Sequence, residues 1–189
     1  MATNLPTKTR MTAEEYFALP ETMRRQELIN GELVVQEKDM DAPHDQHQKA
    51  ITRLIIVLAP CVTTGELRPG PVDVLIDELN VVQPDVMWVS HKNERCVLRD
   101  GRWYGAPDLV VEILSPSTAK RDKSTKYDLY EKHGVREYWI VDGDVKLIEV
   151  YVRDGDRFAR HGVFGLGDSF VSPVLGGKLV DVDTILGEG

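Results

Sequence analysis

The reading of the fold turns on Asp108-Leu109-Val110-Val111-Glu112-Ile113-Leu114-Ser115-Pro116-Ser117-Thr118. Leu109 to Leu114 is apolar except for Glu112, the mark of a central strand covered on both faces. Alternation puts Asp108, Val110, Glu112 and Leu114 on one face and Leu109, Val111 and Ile113 on the other. Glu112 is thereby set among apolar groups, where an ionised carboxylate is costly unless a metal ion or a cationic side chain compensates it. Ser115-Pro116-Ser117-Thr118 breaks the strand and offers hydroxyl caps for a helix over 119–133, which Gly134 ends in the position that favours a left-handed C-cap. Tyr138-Trp139-Ile140-Val141 then reads as a second strand. Strand, helix and strand in that order make a crossover, so the class is α/β.

Upstream, Val72 to Asp77 and Pro84-Asp85-Val86-Met87-Trp88-Val89 read as strands, and pairing of the latter with the Glu112 strand brings Asp85 beside Glu112. Thr12 with Glu15 is a capping box for a helix over 12–18. Asn30-Gly31, between Glu27-Leu28-Ile29 and Glu32-Leu33-Val34-Val35, is a hairpin signal, because a tight turn of this kind needs positive φ at both central residues. Over 43–59, His44, His47, Ile51, Leu54 and Leu58 fall on one helical face, with two imidazoles at its amino end. Residues 65–71 and 90–105 read as connections. Lys146 to Val152 and Arg157 to Val163 form a hairpin around Asp154-Gly155-Asp156, followed by Gly-rich turns and a last apolar segment, Leu179 to Leu186. The expected organisation is a polar arm at 1–11 and a single domain over 12–189 with a C-terminal β extension.

With 189 residues, 42% hydrophobic and 29% charged, the chain can bury a proper core. Its longest apolar stretch, Leu54 to Pro60, is far short of a membrane helix, so no membrane partner is expected. Cys61 and Cys96 are too few for a disulfide framework and read as small buried hydrophobes, which suits the cytoplasm. A net charge of -8 argues against a broad basic face for nucleic acid. It leaves room for an acidic, cation-binding site with a locally basic rim.

Hydrolysis of a phosphodiester requires neutralisation of a crowded anion and a hydroxide-like nucleophile, and a divalent metal held by carboxylates serves both needs. Asp85 and Glu112 are the pair that topology can assemble. Asp122, Lys126 and Tyr130 follow at i, i+4 and i+8 on the next helix, which starts where the Glu112 strand ends, so the Lys126 ammonium can reach back to the carboxylates. The alternative for Lys126 is a helix-surface ion pair with Asp122 or Glu131. For Glu112 it is a salt bridge to a nearby Lys or Arg.

Pro84-Asp85, the block Ala106 to Thr118, then Asp122, Lys126, Tyr130 and Gly134-Val135-Arg136-Glu137-Tyr138-Trp139-Ile140-Val141-Asp142 resemble the bacterial Uma family of restriction endonucleases, within the PD-(D/E)XK nuclease superfamily. Leu28-Ile29-Asn30-Gly31-Glu32 and the His47 helix share the resemblance, which covers about residues 12 to 152. It implies an α/β (α+β) restriction-endonuclease-like core, a mixed central sheet flanked by helices. It also implies a Mg²⁺- or Mn²⁺-dependent endonuclease acting on DNA, with Asp85 and Glu112 as metal ligands and the Ile113 backbone carbonyl as a third. By superfamily analogy a homodimer is expected. The superfamily pattern places a water-orienting lysine two residues after the second acidic residue, where this chain has Leu114. Either Lys126 takes over that role, or the chain is a catalytically inactive nuclease-fold module that binds DNA or a protein partner. Further candidates are Glu32, as an extra carboxylate or a plain hairpin-edge residue, and His47, as a contact to metal or phosphate or a structural histidine.

Overall fold

The computed structural model describes residues 10–20, 22, 24–35, 44–115 and 122–187, and at 44, 45 and 122 the backbone alone. Residues 1–9 of the polar arm at 1–11, and 116–118 of the cap stretch Ser115 to Thr118, lie outside the described residues. In chain order the elements are α1 (Ala13–Phe17), β1 (Gln26–Ile29), β2 (Glu32–Val35), α2 (His44–Leu58), β3 (Glu66–Pro69), β4 (Val74–Asp77), β5 (Asn80–Val82), β6 (Val86–Val89), β7 (Val97–Arg99), β8 (Arg102–Tyr104), β9 (Leu109–Ile113), a π-helical turn (Asp122–Lys126), α3 (Tyr127–His133), β10 (Glu137–Asp142), β11 (Leu147–Asp154), β12 (Arg157–Gly165), β13 (Ser169–Ser172), β14 (Lys178–Asp181) and α4 (Val182–Leu186).

Every residue of β9 is buried. It lies inside a six-stranded sheet of order β12-β11-β10-β9-β6-β3, parallel to β10 and antiparallel to β6. The alternation read from the sequence divides the core. Leu109, Val111 and Ile113 face Leu54 and Leu58 of α2 together with Phe170, Val180 and Ile185 of the C-terminal segment. Val110 and the partly buried Leu114 face the opposite way, toward Leu129 and Tyr130 of α3 and toward Val74, Ile76, Val82 and Trp103. Trp139 and Tyr138, adjacent on β10, bury their rings on opposite faces in the same manner. Each such side chain contributes on the order of 2 kcal/mol by its removal from water.

The fold is a mixed α+β, restriction-endonuclease-like one, but helices do not cover both faces of the central sheet alone. Val74, Ile76, Val82 and Trp103 belong to a second six-stranded sheet, β2-β1-β5-β4-β8-β7, whose far side packs Leu28 and Val81 against Ala13 and Tyr16 of α1. Its β1-β2 hairpin and β4 match the strands read from the sequence, whereas β5, β7 and β8 are three residues long, too short for periodicity to distinguish from turns. Residues 90–105 accordingly read as a connection yet hold the hairpin β7-β8, turned at Asp100 (φ 49°) and Gly101 (φ 77°). Residues 65–71 hold β3, an edge strand that ends on Pro69, where a missing N–H is tolerated. β13 in the Gly-rich tail was likewise unreadable.

The other local signals hold. Thr12 and Glu15 exchange both capping-box hydrogen bonds, at 2.7 and 3.3 Å. Asn30 (φ 51°) and Gly31 (φ 76°) turn β1 into β2. Gly134 closes α3 with φ 87°. The fully buried Glu137 on β10 accepts hydrogen bonds from Trp139 Nε1 (2.7 Å) and from the Val174 amide (3.0 Å), which ties the C-terminal extension to the central sheet.

Gly105 precedes the loop into β9 and donates its N–H to Leu75 O at 2.8 Å, with φ +95° and room for no side chain: a Cβ would lie 1.9 Å from the Arg95 carbonyl oxygen. Gly105→Ala is expected to cost about 3 kcal/mol, a combination of steric clash and backbone strain. Gly101→Ala, with φ +77° but nothing within 4 Å, is expected to cost about 1 kcal/mol. Urea midpoints of the two variants measure the difference, and equal losses would refute this account of Gly105.

Candidate active site

Val86 pairs with Val111 in the antiparallel β6-β9 ladder, so Asp85 and Glu112 are the next residues along the two strands and meet at its end. The Ile113 amide donates to Asp85 Oδ2 at 2.7 Å, which holds the aspartate against the Glu112 strand. Two further groups close on Asp85. Arg25, at the threshold of β1, places Nη1 2.6 Å from Oδ1, and His47 of α2 brings Nε2 to 3.4 Å from Oδ2. Burial pushes this carboxyl's pKa up, but the His47 contact, the Arg25 guanidinium and the Ile113 N–H outweigh it and hold Asp85 well below the usual carboxylate range.

Glu112 is held from the other side. Its Oε1 accepts from Lys126 Nζ at 2.9 Å and from Tyr130 OH at 2.7 Å. The two donors stand one helical turn apart across the junction of the π-helical turn with α3. Lys126 Nζ also lies 2.8 Å from Glu27 Oε1, and that oxygen accepts from the Gln83 amide at 2.8 Å. Glu27, Glu112 and Lys126 are each no more than 2% exposed. Burial and the Glu112 charge drive the Tyr130 phenol pKa far upward, which keeps it a hydrogen-bond donor. Among the described residues, Arg25 faces Asp85, and Lys126 faces both Glu27 and Glu112.

The fold thus gathers five of the residues singled out from sequence: Asp85, Glu112, Lys126, Tyr130 and His47. Lys126 is buried and bridges the carboxylates of Glu27 and Glu112. Leu114, in place of the motif lysine, packs into the apolar cluster on that face of the sheet. Asp122 opens the π-helical turn, and its side chain lies outside the described residues. Glu32 does not join the cluster. It is exposed on β2 and lines an open hollow with Arg10, Ile29, Asn30, Val34 and Thr125. The early glutamate in the cluster is Glu27, which the hairpin reading recognised only as part of a strand. Its signal was the same as that of Glu112, a carboxylate that shares a strand face with a core residue, here Ile29. Arg25 precedes its strand and carried no periodic signal. Among the described residues no three or more His, Cys, Asp or Glu side chains are gathered as a ready metal cage.

A family model described as "Putative restriction endonuclease" and named Uma2 matches residues 13–182. The chain belongs to the Uma2 family. The matched span includes every residue of the cluster just described. An uncharacterised relative of this Uma2 protein, slr1290 of Synechocystis sp., is 25% identical over 152 residues, which cover 78% of this chain and 76% of the relative. The same fold occurs in a crystal structure described as a "putative nuclease belonging to DUF820" from Anabaena variabilis, with a TM-score of 0.72 at 19% identity, over 93% of this chain and 97% of that one. Among the described residues no helix is long and apolar enough to cross a membrane.

The depressed pKa of Asp85 makes a pH prediction. Its folded value lies below the ordinary 3.8, so its contribution to stability is present above that value and is lost as pH falls through the window beneath it. Wild type is expected to exceed Asp85→Asn in urea midpoint at neutral pH, with the gap narrowing progressively as pH falls below about 4. A gap independent of pH would show that the Asp85 charge contributes nothing to stability.

Proposed function

We propose that this Uma2 chain is a Mg²⁺- or Mn²⁺-dependent endonuclease that hydrolyses phosphodiester bonds of DNA. Asp85 and Glu112 are the proposed metal ligands with the Ile113 backbone carbonyl as a third, and Lys126 is the cation beside the attacking water. The observation that carries this reading is the Lys126 ammonium, 2.9 Å from Glu112 and buried. It supplies from a helix the charge that Leu114 cannot supply from the strand.

The donor chemistry fits a hard divalent ion. Magnesium needs only one or two protein carboxylates and keeps water in its other positions, so the absence of a complete protein cage among the described residues is compatible with it. Bound at these carboxylates, the metal would neutralise phosphate charge and acidify water.

The remaining roles follow from the contacts. Lys126 orients water and stabilises negative charge that develops on the phosphate. Glu27 is a positioning residue, since it holds the ammonium from the side opposite Glu112. Tyr130 fixes the Glu112 carboxylate through its hydroxyl. His47, 29% exposed at its side chain and in contact with Asp85, stands between the carboxylates and solvent, a place suited to contact with substrate phosphate. Two chains, one site for each strand, form the assembly that double-strand cleavage asks for. A non-cleaving module was the alternative because of Leu114, and the buried Lys126 favours the enzyme.

The test is incubation of wild type, Asp85→Ala and Lys126→Ala with plasmid and with linear single-stranded DNA, in Mg²⁺, Mn²⁺ or EDTA. Cleavage is expected with either metal, none in EDTA, and a fall of at least about 100-fold in both variants. Loss in Asp85→Ala alone would retain the carboxylate and reject Lys126. A wild type that binds metal but cuts nothing would point to the non-cleaving module.

A further inference from the structure

We infer that Arg25 and the divalent cation compete for the carboxylate of Asp85, so that Arg25 sets the metal affinity of the site. The inference rests on the proposed role of Asp85 as a metal ligand and adds a residue to which neither the family description nor the sequence reading gave a part.

Three observations support it. Both oxygens of Asp85 are engaged by protein, Oδ1 by Arg25 at 2.6 Å and Oδ2 by the Ile113 amide at 2.7 Å and His47 at 3.4 Å. The amide belongs to the backbone of a fully buried strand and cannot leave, so the oxygen that can be released to a metal is the one on Arg25. Second, the two cations of the cluster are held unequally. Lys126 bridges Glu27 and Glu112 with a side chain 2% exposed. Arg25 is fastened to Asp85 through Nη1, while its Nε and Nη2 are buried without a hydrogen-bond partner among the described residues, and its side chain is 20% exposed. Buried donors left unsatisfied are costly, and partial exposure gives the guanidinium a way to water. Arg25 is therefore the cation that leaves at the lower cost. Third, a guanidinium on Asp85 Oδ1 repels a divalent ion in the same place, and its departure removes one positive charge from beside Asp85, a more negative setting.

The experiment is titration calorimetry of Mn²⁺, without DNA, into wild type, Arg25→Gln, Arg25→Lys and Asp85→Asn, each checked for fold by circular dichroism. Arg25→Gln is expected to bind Mn²⁺ at least about fivefold more tightly than wild type. Arg25→Lys, which keeps the charge, is expected to stay near wild type, and Asp85→Asn to lose binding. A second measurement needs no variant: phenylglyoxal modification of Arg25 in the wild-type chain, followed by mass spectrometry, should speed up on addition of Mn²⁺. If wild type binds Mn²⁺ through Asp85 but Arg25→Gln binds no more tightly, or Mn²⁺ leaves Arg25 equally protected, the competition is refuted and the metal site stands. If neither wild type nor Arg25→Gln binds Mn²⁺, or if Asp85→Asn binds as wild type does, the metal assignment of Asp85 falls and the competition with it.

Discussion

An ammonium group with almost no exposure to water, clasped between Glu27 and Glu112, is the interaction on which this site depends. Lys126 comes from the helix after the strand break, Glu112 from the central sheet and Glu27 from the second sheet, so one cation joins three parts of the fold. Removing one member of such a buried set typically costs about 3–5 kcal/mol, because the partners remain as uncompensated charges. An apolar trio of similar volume would hold the sheets together at least as well. The fold has no need of charge at this point, and chemistry gives the better reason for it.

The chemistry asks for a cation at a place, and its address in the sequence is secondary. A lysine two residues after Glu112 would project from the same strand face as Glu112 itself. In this chain that face carries Leu114, packed with the apolar cluster beneath α3. The ammonium arrives from the helix that covers the same face, one turn before the tyrosine that fixes the same carboxylate oxygen. The strand thereby gains an apolar contact while the carboxylate keeps its cation.

What was legible in the sequence had a period or a turn chemistry behind it. A nearly unbroken apolar run with one carboxylate revealed β9, and alternation told which side chains lay with Glu112. A four-residue spacing linked Lys126 to Tyr130. What escaped notice lacked such a signal. In the second sheet, β5, β7 and β8 are three residues long, too short to alternate, and the hairpin at Asp100-Gly101 sits within a charged segment. Choosing Glu32 as the early glutamate meant weighing nearness to the turn above the strand face. Glu32 pairs with Ile29 at the hairpin end and is exposed, whereas Glu27 lies deep enough in β1 to be covered by the central sheet. Arg25 is placed by the entrance to a strand whose position is a tertiary matter, so only the folded chain reveals it.

The charges of the cluster divide the work between the two cations. Lys126 has carboxylates on two sides and is fixed. Arg25 has one carboxylate and donors to spare. Two fixed cations would nearly neutralise three carboxylates and leave a divalent ion little to gain. With both cations absent, Asp85, Glu112 and Glu27 would repel one another in a buried space, and protonation would spoil Asp85 and Glu112 as the proposed ligands. In the proposed reading, one immovable and one loosely held cation avoid both outcomes: Asp85 and Glu112 stay in place, and the site stays open to an ion of higher charge.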